Sequence, residues 1–260
     1  YKAAEYIAKV FEESGVQPYG DSYFEWFNVT VPLVKSSWLI TEDGRNFTIF
    51  PLYPNLVIPN TYISENWDEI VYVGKGNLED FDGKNVSGKF VLMDYASGWN
   101  YYNALLFGAK GVIFVPETPD SIDRPESELK LTIVPVYFPK FYIPLEKGGR
   151  EFLENVKRAS VKGLKIKVHV IQEWESVKVA NVVGFVKGQD PARSQSIVVV
   201  AAYYDAFSSV PSLAYGATDA LGVAALLQLA RFLAKNPPRY SVMLVALAGH
   251  YQGLWGAREF

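Results

Sequence analysis

The sequence contains no cysteine, which excludes disulfide cross-links and thiolate metal sites. It also lacks a long run of lysine and arginine, and its net charge is −3. A basic nucleic-acid footprint is therefore excluded, and no nucleic-acid partner is expected. Long apolar runs are missing too. The stretch Ile197 to Ala202 is far too short to cross a bilayer, so no transmembrane segment is expected. No signal peptide is visible, because Tyr1 opens directly into a helical pattern, and the chain reads as a mature or trimmed product. There is no internal repeat and no low-complexity tract. No Gly-x-Ser-x-Gly elbow occurs, which disfavours a serine hydrolase of that kind. The Gly74-Lys75-Gly76 cluster lacks the fuller phosphate-loop spacing and is expected to be a turn.

What is present is an ordinary globular balance. The chain has 260 residues, 49% hydrophobic and 20% charged, enough for one large domain or two small ones. The 17 tyrosines and 16 phenylalanines suit a packed core or an interface. Three glycosylation sequons begin at Asn28, Asn46 and Asn85. They weigh modestly towards an extracellular or cell-surface protein.

Periodicity organises the chain. Residues 2 to 13 form an amphipathic pattern, with Ala3, Ile7, Val10 and Phe11 at helical spacing and Gly15 as the stop. Residues 22 to 35 favour strands. From about 46 to 175 short strands alternate with Gly and Pro turns: Ile70 to Val73, Phe90 to Met93, Val112 to Val115 and Leu131 to Phe138. Helical pieces are expected at Tyr101 to Phe107 and at 147 to 158. Leu164 to Val170 alternates as a half-exposed strand, which leaves His169 on its polar, solvated face. Beyond 180 the pattern turns to α/β. Ile197 to Ala202 reads as a strand buried on both faces, 219 to 235 as a helix, and Val242 to Leu247 as a second buried strand. That order implies a parallel crossover.

In open α/β sheets, ligands bind beyond the carboxyl ends of the strands. One strand runs out into Tyr203-Tyr204-Asp205 and the other into Gly249-His250-Tyr251-Gln252-Gly253. Gly216-Ala217-Thr218-Asp219 lies between them at a helix start. These polar clusters are expected to converge on one side of the sheet.

Here the motifs become specific. The collinear pieces Ala180-Asn181-Val182-Val183-Gly184, Ile197 to Asp205, Gly216 to Asp219 with Gly222 to Leu227, and Gln252-Gly253-Leu254-Trp255-Gly256 resemble the M28-type zinc aminopeptidases. The stretch with Val71-Tyr72-Val73-Gly74, Gly88 to Leu92 and Gly108 to Ile113 looks like the protease-associated domain often inserted in that family. The resemblance implies an α/β fold, a zinc-exopeptidase-like sheet with helices on both faces, plus a β-rich insertion. It places the peptidase-like domain at 1–45 and 176–260, incomplete at its C-terminus, and the insertion at 46–175.

The resemblance also marks a departure. In the active family a His-x-Asp motif supplies a zinc ligand and the carboxylate that orients it. Here Tyr203 stands at the histidine position and Asp205 is kept. Asp219 matches the bridging aspartate. Consecutive glutamates, a general base and then a ligand, are replaced by His250 and Tyr251. The family's last ligands are expected beyond Phe260. Catalytic zinc needs about three protein ligands and an open position, and a phenol with an ordinary pKa near 10 must lose its proton to serve.

No cofactor is expected on this reading. The chain is expected to be a non-catalytic relative used for binding or extracellular assembly, with a protein, a peptide or another copy as partner. One alternative is an active zinc aminopeptidase with altered ligands, in which His250 acts as base. Another is a structural subunit of a surface layer or filament. Local alternatives also stand: Asp219 as a helix-start carboxylate favoured by the dipole, Asp205 as an acceptor for loop N–H groups, and Tyr203 and Tyr251 as fillers of the former metal site.

Overall fold

The computed structural model describes residues 2–55, 57–118, 124–131, 134–159, 163–214 and 216–260. The elements begin with helix α1 (Lys2–Ser14), then strands β1 (Gln17–Pro18), β2 (Phe24–Thr41), β3 (Asn46–Phe47), β4 (Phe50–Pro51), β5 (Tyr62–Ile63), β6 (Asp68–Tyr72) and β7 (Phe90–Asp94). Next come α2 (Tyr101–Leu106), β8 (Gly111–Val115), α3 (Arg124–Leu129), β9 (Lys140–Tyr142) and α4 (Gly149–Arg158). The last are β10 (Leu164–Val186), β11 (Ile197–Tyr203), α5 (Gly216–Asp219), α6 (Leu221–Lys235), β12 (Ser241–Leu247) and α7 (Trp255–Glu259). Among the described residues no helix is long and apolar enough to cross a membrane.

The chain forms two compact units. The first holds Tyr1–Val31, Glu175–Phe207 and Tyr215–Phe260, and the second Pro32–Trp174 and Ser208–Ala214. The first boundary falls earlier than the expected 45/46, because β2 continues into the second unit and buries Leu39 in its core.

In the first unit β12 lies between β11, which runs parallel to it, and β10, which runs antiparallel. The parallel β11–α6–β12 connection is the crossover the sequence order implied. Helices α1 and α6 share one core with this sheet, through Ile7, Phe11, Val223, Leu226, Val182 and Leu244. Phe11 is fully buried, a burial worth about 1.5–3 kcal/mol. Gly184 permits the close approach of α1: a Cβ there would lie 2.8 Å from the Phe11 ring and 2.7 Å from Val16. A smaller cluster, Val183, Met243 and Val245 with Leu247, forms separately from that core.

One expectation is corrected here. Ile197, Val198 and Val199 are 41%, 46% and 49% exposed, so the apolar run is not a strand buried on both faces. The cause is position: β11 is an edge strand, with β12 as its one strand neighbour among the described residues. An apolar run records affinity for a sheet, not which neighbours are present.

The second unit is built on the parallel strands β6, β7, β8 and β9, with β4 antiparallel to β9 and the start of β10 antiparallel to β6. Both faces are covered. Phe90, Leu92 and Ile113 meet Phe152 and Val156 of α4. Val91, Met93 and Phe114 meet Tyr101 and Ala104 of α2. Burial on both faces explains the continuous apolar character of β7 and β8. Segment 208–214 joins this unit by burying Val210 in the α2-side core and by a 2.6 Å hydrogen bond between Ser209 Oγ and Tyr95 Oη.

The expected strand at Leu131 to Phe138 is displaced. Thr132 and Ile133 lie outside the described residues, 134–139 are not strand, and the strand is Lys140–Tyr142. Pro135 and Pro139 lack the N–H a ladder needs. His169 is not simply solvated either. Its ring stacks on Trp38 at 4.9 Å and 3°, and its Nε2 lies 2.9 Å from Ser36 Oγ.

Candidate functional site

The parallel register pairs Tyr203 with Leu247, so β11 and β12 leave the sheet side by side at the same end. Tyr204 N–H donates to Leu247 O at 3.1 Å and continues the pairing one residue further. The segments that follow carry Asp205 and His250, and α5 brings Asp219 to the same place. The predicted convergence of Tyr203, Asp205, Asp219, His250 and Tyr251 is what the first unit contains.

The backbone after β12 is held tightly. Gly249 adopts φ 68°, and a Cβ there would press on Val29 and Trp255 at 3.3 Å. Trp255 N–H donates to Gly249 O at 2.9 Å and Gly256 N–H to Ala248 O at 3.0 Å, which closes the turn that presents His250 and Tyr251. Asn181 fixes it from β10. Its Oδ1 accepts Ala248 N–H at 3.1 Å and its Nδ2 donates to Gly256 O at 2.8 Å. Asn181 is fully buried, so each bond replaces one that water would otherwise supply. This positioning role was not assigned from sequence, although an asparagine opening an apolar strand is the signal that marks it.

Asp219 is the hub of the polar contacts. Tyr251 Oη donates to its Oδ1 at 2.9 Å, and Phe207 N–H donates to its Oδ2 at 3.2 Å. Asp219 is the last residue of α5, and α6 begins after Ala220 without a side-chain cap. Burial first, then hydrogen bonding with the Tyr203 and Asp219 side chains, hold the Tyr251 phenol well above its ordinary pKa. The phenol is thus kept protonated and donating.

The rings fill the space around this bond. His250 stacks on Tyr203 with centroids 4.0 Å apart and planes at 18°. Tyr251 meets Tyr203 edge-on at 5.8 Å and His250 at 4.9 Å. Phe207 packs against Tyr251 at 5.3 Å. Phe207 was not singled out from sequence, since nothing in an isolated Phe predicts that its backbone N–H will bind a carboxylate.

Asp205 accepts His250 N–H on Oδ2 at 2.8 Å, as one of the sequence alternatives held. Its Oδ1 is buried without a hydrogen-bond partner among the described residues. Burial raises its carboxyl pKa, against the pull of surrounding backbone N–H groups. Beside it, burial and then the Asp205 charge push Tyr204 up to about 12. The Tyr204 hydroxyl donates to Ala180 O at 2.7 Å.

The donor set decides whether zinc fits. A zinc site of this kind wants imidazole and carboxylate ligands with free lone pairs. Two of the positions in question present phenols. The Tyr251 phenol is held protonated on the Asp219 carboxylate. Among the described residues no group of three or more His, Cys, Asp or Glu is arranged to hold a metal ion. The residues present do not fit a catalytic zinc.

Residues 181–260 match the profile of Peptidase family M28. A probable zinc metalloprotease of Leptosphaeria maculans is 41% identical over 87 residues, which are 31% of this chain and 20% of that protein. A probable zinc metalloprotease of Pyricularia oryzae is 39% identical over 87 residues, 31% of this chain and 17% of that protein. The fold is similar to that of BSAP, a zinc aminopeptidase from Bacillus subtilis, with TM-score 0.63 and 19% identity over 98% of this chain and 57% of that one. It is also similar to an aminopeptidase from Aneurinibacillus sp. strain AM-1, with TM-score 0.53 and 21% identity over 99% of this chain and 59% of that one. The chain thus spans less than two thirds of the length of each of these proteins.

Proposed function

We propose, from the match of residues 181–260 to peptidase family M28, that a peptidase-type site has here been converted from a metal centre into a cluster of aromatic rings and that the protein binds rather than cleaves polypeptides. The observation that carries this reading is the Tyr251–Asp219 hydrogen bond at 2.9 Å. It spends the retained ligand carboxylate on a protonated phenol. A hydrolytic water needs a metal or a base to activate it. Neither the Tyr203 phenol nor the Tyr251 phenol supplies a ligand without an unfavourable deprotonation.

A binding role is supported by the open edge of β11. Its exposed Ile197, Val198 and Val199 offer seven residues of uncharged strand, Ile197–Tyr203, to a polypeptide strand added alongside. A second copy of the chain suits this edge, which would make the role one of assembly.

The test is hydrolysis of aminoacyl nitroanilides by the purified protein, with and without added zinc. No turnover above the background rate is expected in either case. Zinc-dependent turnover that disappears in Asp219→Ala would overturn the reading and make the chain part of an active aminopeptidase with altered ligands.

A further inference from the structure

The three sequons share a geometry that the peptidase reading does not use. Asn28, Asn46 and Asn85 are all exposed, and so are the hydroxyl residues two positions on, Thr30, Thr48 and Ser87. The residue between them is buried each time: Val29 is 6%, Phe47 4% and Val86 3% exposed. At Asn28 this follows from the two-residue alternation of strand β2, which puts the amide and the hydroxyl on the same solvent face, and at Asn46 the exposed–buried–exposed pattern runs from β3 into Thr48, just past the strand. At Asn85 it follows from a turn in which Ser87 N–H donates to Asn85 Oδ1 at 3.2 Å.

The amide nitrogens differ from those of most other asparagines in the chain. Asn55, Asn60, Asn100, Asn103, Asn181 and Asn236 all donate from Nδ2 to protein acceptors. Among the described residues none of the three sequon asparagines does. Each sequon amide is therefore free to carry a substituent without breaking a structural bond, and the buried central residue anchors the backbone beneath it.

We propose that Asn28, Asn46 and Asn85 carry N-linked glycans in the native protein. The oligosaccharide comes from a polyprenyl diphosphate donor in the presence of a transferase. Asn Nδ2 attacks the anomeric carbon, a C–N bond forms, and the C–O bond to the diphosphate breaks. The diphosphate leaves with the electron pair, and Nδ2 gives up one proton to a base of the transferase. The product is a bulky, hydrated group on a surface position. The inference is independent of whether the peptidase site holds metal.

The test is peptide mass spectrometry of the protein purified from its own source, after enzymatic deglycosylation in heavy-oxygen water. Each occupied asparagine becomes an oxygen-labelled aspartate. Label is expected at Asn28, Asn46 and Asn85. It is not expected at Asn66 or Asn77, which are equally exposed but have no hydroxyl residue two positions on. In secreted protein, Thr30→Ala, Thr48→Ala and Ser87→Ala should each remove the mass of one glycan while the fold is kept, since all three hydroxyl residues are exposed. Unmodified, unlabelled peptides at all three positions would overturn the proposal.

Discussion

Tyr251 donates its hydroxyl proton to Asp219 at 2.9 Å, and this bond joins the loop after β12 to the end of α5. Tyr251→Phe keeps the ring packing against Phe207 and Tyr203 but removes the donor. Hydrogen bonds to charged groups contribute about 1.5–3 kcal/mol when buried. Because Tyr251 is only half-buried, a loss of about 1 kcal/mol is expected in denaturant-induced unfolding. An unchanged midpoint would show that Asp219 is satisfied by water and that the bond does not organise the site.

Asp205 offers a second test, with a definite sign. Burial raises its folded-state pKa above the unfolded value, so the folded protein holds this proton more tightly. The contribution is favourable at acid pH, below the unfolded value, and is lost as pH rises through the folded value. At neutral pH the buried carboxylate is a cost. Asp205→Asn keeps an acceptor for His250 N–H and removes the charge. It is expected to flatten the acid limb of the stability profile. An acid limb unchanged in the variant would assign that pH dependence to another group.

Lys140 gives the opposite kind of profile, from the second unit. Its side chain is buried and donates to Lys130 O at 2.5 Å. Burial, then the Lys130 charge, lower its pKa from 10.5 to about 7. Between about 7 and its ordinary value of 10.5 the unfolded chain holds a proton that the folded chain lacks, so stability rises with pH across that window. Lys140→Met should remove this slope, as read by thermal unfolding in a pH series. A slope that survives the substitution would assign it to another group.

The open edge of β11 predicts self-association that depends on concentration in analytical ultracentrifugation. Val199→Lys places a charge on that edge, a common natural device against strand pairing, and is expected to return the protein to monomer. Wild-type protein that stays monomeric at every concentration would remove the second copy as the partner of this edge.

Much of this was legible in the residues, for physical reasons that differ by element. Strands β7, β8 and β12 were plain because burial on both faces leaves an uninterrupted apolar run, and α1 and α6 because one face repeats at helical spacing. The convergence of Asp205, Asp219 and His250 followed from parallel strand order alone. The length of β10 was not legible, since its alternation dissolves at Glu173-Trp174-Glu175. The exposure of β11 was hidden because apolar composition does not reveal a missing neighbour. The Trp38–His169 stack and the docking of Val210 in the second unit are tertiary events without a local signal.

The most direct test of the central claim, that this donor set does not hold catalytic zinc, is elemental analysis of the purified protein after dialysis against a weak chelator. The account predicts zinc well below stoichiometric, unchanged in Asp219→Ala. About one or two zinc ions per chain, lost when Asp219 is replaced, would contradict it and restore the chain to the active metallopeptidases.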